Sequence, residues 1–160
     1  KFWFMTGCRP SEGIGLEWEQ IPADCSKILF DRSIVKIGKK TIKNRLSKNN
    51  RQRIFPCQQE LQEFLLFHRQ QRNPRVTLVF PSPDGKPIDY INFSHRAWDA
   101  VVDPIIDRST TPYSCRDTFI TDQIAKGISP AIIAKWVDNS VEMIEKYYFD
   151  ISAIDHIKPL

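Results

Sequence analysis

The stretch GCRPSEGIGLEWEQI, residues 7–21, predicts a helix that begins directly after a tight turn. Gly7 suits a turn that closes a preceding helix, and Pro10 suits the first turn of the next one. The apolar residues Ile14 and Trp18 recur at helical spacing, so one face of this helix is expected to be buried. Arg9 and Glu12, three positions apart, therefore lie where two helices are expected to meet. At such a place they could simply form a local ion pair with a structural role.

The rest of the chain predicts a mainly helical body. The helix start over 109–127 is marked by Thr111 and Pro112, and the helix over 91–106 is expected to be capped by Asn92 or Ser94. We therefore predict an α+β fold, a helical body with a small antiparallel sheet or hairpin as a lateral flap. The expected elements are strands around 27–37 and 50–55, an amphipathic helix over 57–72, a short strand and turn over 76–88, and helices over 91–106, 109–127, 128–138 and 140–149.

The composition is that of a compact cytoplasmic protein. Its 160 residues are enough for one domain, and no apolar run approaches the length of a membrane helix. The four cysteines form no CxxC pair and have no histidine at ligand spacing, so a metal site and a disulfide framework are both poorly supported. Reduced thiols indicate the cytoplasm. The first residues resemble the tail of a helix entered midway, so we expect a piece of a longer protein.

Positive charge is concentrated between the predicted strands. The net charge is only +4, but residues 36–53, KIGKKTIKNRLSKNNRQR, carry eight basic residues and no acidic one. A charge run is usually a solvated face, yet a run held between strand-like segments suits a polyanion better than a loose tail would. Nucleic acid is the first candidate, because phosphate neutralisation is the main source of such affinity. The predicted DNA-contacting residues are Lys43, Arg45, Lys48, Arg51 and Arg53.

The remaining candidate chemistry concerns phosphate esters. The sequence patterns of P-loop nucleotide sites, zinc metalloproteases and serine hydrolases are absent. Two arginines, a lysine in the basic segment and a tyrosine pair remain. Tyr147 and Tyr148 close a predicted amphipathic helix, a place where most tyrosines are core aromatics. From the residues alone, structural roles stay open beside catalytic ones.

Four segments resemble, in the same order, the motifs of the tyrosine recombinases, the phage integrase family. TGCRPSEGIGLEW resembles the first arginine motif and identifies Arg9, with Glu12 as its supporting carboxylate. KNNRQRIFP resembles the end of the family's β-hairpin and identifies Lys48. TPYSCRDTFIT resembles the second arginine motif and identifies Arg116. IAKWVDNSVEMIEKYYF resembles the closing motif with the nucleophilic tyrosine, and the resemblance covers about residues 3–150.

The closing motif allows two alignments. With Trp136–Ser140 on the family's Gly-His-Ser segment, Asn139 takes the histidine position and Tyr148 stands nine residues later. Aligning EKYY with the commoner Glu-Arg-Tyr ending selects Tyr147 instead and puts Asp138 at the histidine position. We prefer Tyr148, because SVEMIEKYY resembles an integrase subgroup whose motif ends on a histidine followed by the nucleophile.

Three auxiliary positions depart from the family pattern. The histidine of the second arginine motif is Tyr113 here, the histidine after the second arginine is Asp117, and the histidine or tryptophan of the closing motif is Asn139. In the family these positions are associated with proton handling and with hydrogen bonds to the transition state. Tyrosine and asparagine can donate hydrogen bonds, but neither is a good base at neutral pH. The departures concern the rate and the proton route more than the reaction type.

The resemblance implies a recombinase catalytic domain over residues 1–160, without the family's separate N-terminal core-binding domain. In the family, two arginines clamp the scissile phosphate and a carboxylate orients an arginine. The hairpin lysine protonates the leaving 5′ oxygen, and the tyrosine forms a 3′-phosphotyrosyl link to DNA. The catalytic residues implied here are Tyr148, Arg9, Arg116, Lys48, Tyr113, Asn139 and Glu12.

The same resemblance implies the partners. Double-stranded DNA is the substrate, the full-length protein self-associates on it as a tetramer, and no metal or other cofactor is required. A cytoplasmic, DNA-associated protein of prokaryotic or phage origin, carried by a mobile element, is expected. Two alternatives stay open: a catalytically inactive DNA-binding relic, which the three departures favour, and a type IB topoisomerase-like enzyme that relaxes DNA as a monomer. The final segment, ISAIDHIKPL, is expected to pack on a neighbouring subunit or on its own body.

Overall fold

The structure, a computed structural model, describes residues 1–37, 40–45, 52–102, 104–106 and 110–148. A 3₁₀ turn, Trp18–Gln20, follows the helix Pro10–Ile14. A π-helix, Phe93–Trp98, joins the short helices Tyr90–Asn92 and Asp99–Val101. Helices dominate and the strands pair antiparallel, so the predicted fold class is confirmed. The elements are α1 (Phe2–Thr6), α2 (Pro10–Ile14), β1 (Lys27–Phe30), β2 (Arg32–Ile37), β3 (Lys40–Arg45), β4 (Arg53–Pro56), α3 (Gln59–Gln70), α4 (Tyr90–Asn92), α5 (Asp99–Val101), α6 (Ser114–Ala125), α7 (Pro130–Val137) and α8 (Val141–Tyr148).

The helix predicted over 7–21 is interrupted. α2 ends at Ile14, and strand β2 approaches the next residue so closely that a Cβ atom at Gly15 would lie 2.9 Å from the backbone nitrogen of Ile34. Only glycine leaves room for that contact. Ile14 and Trp18 are both buried as predicted, but they belong to two separate short turns rather than to one helix.

The strands form two sheets that differ in burial. β1 pairs antiparallel with β4, and β2 pairs antiparallel with β3. Ile28, Phe30 and Phe55 place the β1–β4 sheet in the hydrophobic core, whereas Val35 and Ile42 of the β2–β3 hairpin are partly exposed. The predicted lateral flap therefore corresponds to the β2–β3 hairpin. The β1–β4 sheet is the inner part of this antiparallel region, because the apolar residues of β1 and β4 alternate toward the core.

Strand β3 occupies a part of the basic segment where the sequence predicted only a connection. It pairs with β2 along its whole length, from Lys40 opposite Ile37 to Arg45 opposite Arg32. Lysine and asparagine are depleted in strands, so propensity alone misses this element. The strand forms because the neighbouring chain supplies the pairing, and the basic residues are thereby held on a hairpin.

Local signals failed at three other places. Over 76–88, Leu78 makes only an isolated bridge with Glu17, and the prolines there cannot donate to a ladder, so the predicted strand was wrong. Asp89, rather than Asn92 or Ser94, caps α4 by accepting two hydrogen bonds from backbone N–H groups. α6 begins at Ser114, after a separate turn that contains the two residues predicted as its cap and first position.

The packing of the helices brings three chain segments to one side of the body. α1 packs on α6, and α6, α7 and α8 pack on one another. α7 also contacts strand β4, which links the helices to the buried sheet. The residues before α2, the first turn of α6 and the end of α8 therefore meet around one cavity.

Two further sequence expectations concern the cysteines and the helix lengths. All four cysteines are free thiols. The longest helices, α3 and α6, have 12 residues each, and none of the helices within the described ranges could cross a bilayer, which takes about 20 apolar residues.

Candidate active site

An open cavity of about 950 Å³ collects five of the seven predicted catalytic residues. They come from segments far apart in the chain, and the packing of α1, α7 and α8 on α6 brings them together. Glu12 lies directly behind the cavity wall, hydrogen-bonded to Arg9, and Lys48 lies outside the described residues. The five residues that line the cavity are Arg9, Tyr113, Arg116, Asn139 and Tyr148.

Arg116 is held by the turn between α1 and α2. Its side chain is buried, and its Nη1 donates a 2.8 Å hydrogen bond to the carbonyl oxygen of Gly7. Gly7 adopts the left-handed conformation, with φ of 59°, and a Cβ atom there would collide with the ring of Phe119. Burial, reinforced by the nearby charge of Arg9, lowers the pKa of Arg116, although an arginine stays protonated at neutral pH. This is its one hydrogen bond among the described residues, so further donors remain for a ligand in the cavity.

Arg9 faces the cavity with its guanidinium bound to Asp138. Its Nη1 donates to the Asp138 carboxylate at 2.8 Å, and its Nη2 donates to the Asp138 carbonyl at 2.7 Å. Asp138 follows the last turn of α7 in the left-handed conformation, with φ of 55°. In this conformation its backbone carbonyl oxygen and one carboxylate oxygen both accept hydrogen bonds from Arg9. Burial would lower the pKa of Arg9, but the hydrogen bond and the charge of Asp138 outweigh it and raise that pKa. In this state a carboxylate occupies part of the anion-binding edge of Arg9.

The Glu12 carboxylate is bound by Arg53, which the sequence analysis placed among the DNA-contacting residues. Arg53 donates from Nη1 and Nη2 to the two Glu12 carboxylate oxygens at 2.6 and 2.7 Å, and from Nε to the Trp136 carbonyl at 2.8 Å. The Arg9 backbone N–H adds a 2.7 Å bond to Glu12, while the Arg9 side chain is more distant at 3.4 Å. Burial would raise the pKa of Glu12, but the bonds from Arg53 overcome it and hold that pKa below its usual value.

Arg53, which the sequence analysis placed among the DNA-contacting residues, is not exposed in the ligand-free structure. Its side chain is buried, with the guanidinium carbon 4.4 Å from the centroid of the Phe30 ring. Strand alternation explains why, since Arg53 lies on the same face of β4 as the buried Phe55, two residues on. That periodicity was readable from RIFP, but the exposed Ile54 between them obscures which face points inward.

The phenolic O–H group of Tyr148 donates a hydrogen bond to the Asp117 carboxylate. The distance from Oη to Asp117 Oδ1 is 2.7 Å, across the interface between α8 and α6. Burial, together with the hydrogen bond to the Asp117 carboxylate and the charge of that carboxylate, raises the pKa of Tyr148 to about 12. The opposing effect of Arg116 is smaller. In the ligand-free state, therefore, the phenol is protonated at neutral pH.

Two further tyrosines, Tyr113 and Tyr147, line the same cavity together with Asn139. Tyr147 is 62% exposed, with the Lys146 ammonium 5.0 Å from its ring centroid, so it points more to solvent than its half-buried neighbour does. Tyr113 is also exposed, at the turn before α6. The side-chain oxygen of Asn139 accepts a 3.0 Å hydrogen bond from the Ser140 N–H, which leaves its amide protons for a ligand.

The remaining predicted DNA-binding residues lie on or after the β2–β3 hairpin. Lys43 is exposed on β3 and reaches Glu17 at 3.4 Å, a weak contact that leaves its charge accessible. Arg45 ends β3 opposite Arg32, and its side chain lies outside the described part of the chain. Lys48 and Arg51 lie wholly outside the described residues, as does the final segment, which was expected to pack on a neighbouring subunit or on its own body.

The contacts that organise the cavity were not readable from the motifs. Sequence analysis noted Asp117 and Asp138 only as departures or alternative alignments, and Gly7 only as a turn residue. Each forms a hydrogen bond with a residue distant in the chain. Asp117 is 31 residues from Tyr148, Asp138 is 129 residues from Arg9, and Gly7 is 109 residues from Arg116. Among the described residues, no group of three or more histidine, cysteine, aspartate or glutamate side chains could hold a metal ion.

Comparison with solved structures finds the same fold in DNA recombination proteins. The Tn1549 transposon integrase in complex with a circular intermediate DNA superposes with a TM-score of 0.78 at 17% identity, over 93% of this chain and 52% of that chain. XerA recombinase gives 0.67 at 22% identity, over 96% and 51%. The catalytic domain of bacteriophage HP1 integrase gives 0.59 at 18% identity, over 99% and 79%. The chain thus spans about half the length of the Tn1549 and XerA proteins.

Sequence comparison gives the family directly. No curated protein sequence matches the chain. A family model described as the phage integrase family, however, matches residues 1–153, nearly the whole chain. This confirms the resemblance drawn from the four sequence motifs, and it establishes that the chain belongs to the phage integrase family.

Proposed function

We propose that this chain is the catalytic part of a site-specific DNA recombinase or integrase. It cuts and rejoins DNA strands through a covalent 3′-phosphotyrosyl intermediate, with Tyr148 as the nucleophile. One observation carries the proposal: Arg9, Arg116 and Tyr148, which are up to 139 positions apart in the sequence, line one open cavity. Two guanidinium groups beside one phenol suit attack on a phosphodiester.

The two arginines supply the charge that the transition state requires. A pentavalent phosphorane carries more negative charge on its non-bridging oxygens than the ground state does, and guanidinium donors match those oxygens in geometry. Arg116 has hydrogen-bond donors without partners among the described residues, and Arg9 has an edge that now holds the Asp138 carboxylate. The incoming phosphate takes the place of that carboxylate on Arg9.

The leaving group is protonated from the basic hairpin. Lys48 follows strand β3 in the sequence, and in the proposed mechanism its ammonium gives a proton to the 5′ oxygen as the P–O5′ bond breaks. Lys43 and Arg45 on β3 neutralise flanking phosphates of the double-stranded DNA. DNA as the substrate is also supported by the Tn1549 integrase, which shares the fold and is solved bound to DNA.

Tyr148 is favoured over Tyr147 by its surroundings. The Tyr148 phenol is half-buried, bonded to Asp117 and close enough to Arg116 for that charge to affect its pKa. Tyr147 is mostly exposed and lies against Lys146. A nucleophile needs a fixed position relative to the phosphate clamp, and Tyr148 is the more constrained of the two.

A second candidate is a DNA-binding protein that does not cleave. Its supporting observations are the protonated Tyr148 phenol and the Asp138 carboxylate that occupies Arg9. Both contacts weaken the two groups on which cleavage depends. The basic hairpin, by contrast, would serve either function.

Covalent trapping on nicked DNA tests the proposal. Nicked duplexes lose a short product strand after cleavage, so the protein stays attached, and a library with a randomised core removes the need to know the target sequence. We expect a denaturation-resistant adduct from the wild-type protein and from Tyr147→Phe, and none from Tyr148→Phe. Loss of the adduct in Tyr147→Phe alone would move the nucleophile by one residue. A protein that shifts the DNA in a gel but yields no adduct from the library would establish the non-cleaving candidate.

A further inference from the structure

We propose that Asp117 is the general base of strand cleavage, accepting the phenolic proton of Tyr148 as its oxygen attacks the phosphate. The inference rests on the proposed function and names as proton acceptor a residue at which this chain departs from the family motif. The motif position of Asp117 is a histidine in the family pattern, so the assignment comes from this structure alone. It stands on a direct contact between the acceptor and the reacting atom.

The geometry is already that of a proton transfer. The phenol oxygen lies 2.7 Å from Asp117 Oδ1, within the range expected for a general base and its substrate proton. Asp117 is the next residue after Arg116 on α6, so the same helical turn presents the acceptor and one cation. α8 packs on α6 and keeps the tyrosine in reach.

The other groups of the cavity are poorer acceptors. None of the cavity-lining residues that the structure describes is a histidine. Asn139 cannot take up a proton, and Tyr113 is a weak base while neutral. The Asp138 carboxylate is bound to Arg9, and Asp122 has no hydrogen bond to the phenol. Within the described cavity wall, Asp117 is therefore the one carboxylate that already accepts a hydrogen bond from the phenol that must lose its proton.

The step balances as follows. The Tyr148 oxygen forms a bond to phosphorus, its proton moves to Asp117 Oδ1, and the P–O5′ bond breaks with the electron pair going to the 5′ oxygen, which takes a proton from Lys48. Religation runs in reverse, and Asp117 returns the proton to the phenol. A carboxylate can accept from a phenol here because the phenol oxygen loses its basicity as it becomes an aryl phosphate ester. Until then the carboxylate keeps the proton on the phenol, in line with the pKa of about 12.

The first experiment compares single-turnover cleavage by wild type and Asp117→Asn across pH, on a duplex recovered from the trapping library. The amide keeps the size of the side chain but cannot accept a proton. We expect cleavage to fall about a hundred- to ten-thousandfold, the usual contribution of general base catalysis. The rate of the variant should rise tenfold per pH unit, because it depends on the rare phenolate, while wild type should not show this dependence. Titration of the other groups that line the cavity with the phenol is shared by both proteins and cancels in the ratio of their rates; among the described residues those groups are Arg116, Asp122, Tyr113, Arg9 and Tyr147.

The second experiment replaces Tyr148 with a fluorinated tyrosine whose phenol pKa is lower. A more acidic phenol has less need of a base, so this replacement should speed Asp117→Asn far more than it speeds wild type. Glu145→Gln, which removes one exposed carboxylate from α8, is the matched control and should behave as wild type. Circular dichroism of each variant separates misfolding from lost chemistry.

The outcomes divide cleanly. If Asp117→Asn cleaves as fast as wild type or faster, the bond to Tyr148 is a restraint on the phenol and the proposal is overturned. Equal responses to the fluorinated tyrosine in both backgrounds would overturn it as well. If the wild-type protein itself forms no adduct with the library, the proposed function fails and this inference fails with it. That result is distinct from an adduct whose rate does not depend on Asp117.

Discussion

The buried ion pair between Arg53 and Glu12 makes the most quantitative prediction, through the substitution Arg53→Ala. This change removes two charge-assisted bonds of 2.6 and 2.7 Å to Glu12 and one of 2.8 Å to the Trp136 carbonyl. Glu12 is only 3% exposed, so its carboxylate stays buried with much of its compensation gone. Breaking one side of a buried pair costs about 3–5 kcal/mol, and we expect the free energy of unfolding to fall by that amount.

Urea denaturation followed by tryptophan fluorescence measures this loss, and the basic hairpin supplies a matched control. Lys43→Ala removes a cation whose 3.4 Å contact with Glu17 is mostly exposed, so its cost should stay within about 0–1 kcal/mol. Replacing both partners, as in Arg53→Met with Glu12→Leu, should recover much of the loss, because no buried charge is then left alone. If Arg53→Ala costs no more than Lys43→Ala, the buried pair does not stabilise the fold as we infer.

The same pair sets a pH dependence with a definite sign. The folded-state pKa of Glu12 lies below its unfolded value, so the stabilisation is complete above the ordinary glutamate pKa of about 4.3. It is lost as the pH falls through the lower folded-state pKa. The stability gap between wild type and Arg53→Ala should therefore narrow on acidification, and a gap that widens would contradict the assignment.

DNA binding separates the two roles that have been considered for Arg53. An arginine that contacts phosphate contributes about 0.9 to the slope of log affinity against log salt. We expect Lys43→Ala to lower that slope by about this amount, whereas Arg53→Met paired with Glu12→Leu should leave it unchanged. A lowered slope in the paired variant would restore Arg53 to the DNA interface.

Three further predictions concern the cavity. Arg116→Gln should slow adduct formation about a hundred- to a thousandfold, which corresponds to about 2.7–4 kcal/mol of lost transition-state stabilisation, in single-turnover assays on the selected duplex. Gly7→Ala should destabilise the protein by more than Gly85→Ala in thermal melts, because both have positive φ but only Gly7 faces a ring, that of Phe119. Asp138→Asn should tighten the binding of inorganic phosphate about tenfold in calorimetric titrations, since a charged competitor leaves the guanidinium; unchanged affinity would refute this.

The elements that the sequence predicted well are those whose signals are local. The amphipathic helix over 57–72 became α3, and Ser129 with Pro130 starts α7 as the cap and first-position pattern indicates. Strand β3 and the break after Ile14 were missed, because both depend on a partner strand rather than on the residues themselves. Propensity cannot report a close approach by another part of the chain.

The candidate site shows the same difference between features with local sequence signals and features that depend on a distant part of the chain. Motif resemblance identified five of the residues that line the cavity, since each is a single residue in a recognisable local pattern. It did not identify their partners, because a hydrogen bond such as Arg116 to Gly7 joins positions 109 residues apart. The burial of Arg53 was not predicted for a related reason: a basic residue in a basic segment is indistinguishable from its neighbours until the strand face is known. The charges were predictable, but their pairing was not.

The pairing explains how a cavity with buried cations stays stable without DNA. Arg53 is neutralised by Glu12 and Arg9 by Asp138, while Arg116 is left with a carbonyl as its partner among the described residues. An unpaired guanidinium costs free energy when buried, and the lowered pKa of Arg116 reflects that cost. Under the proposed function, a phosphodiester entering the cavity would relieve this cost by accepting hydrogen bonds from Arg116. Stability and phosphate affinity should therefore trade against each other at this residue, because substituting it removes a burial cost as well as a ligand.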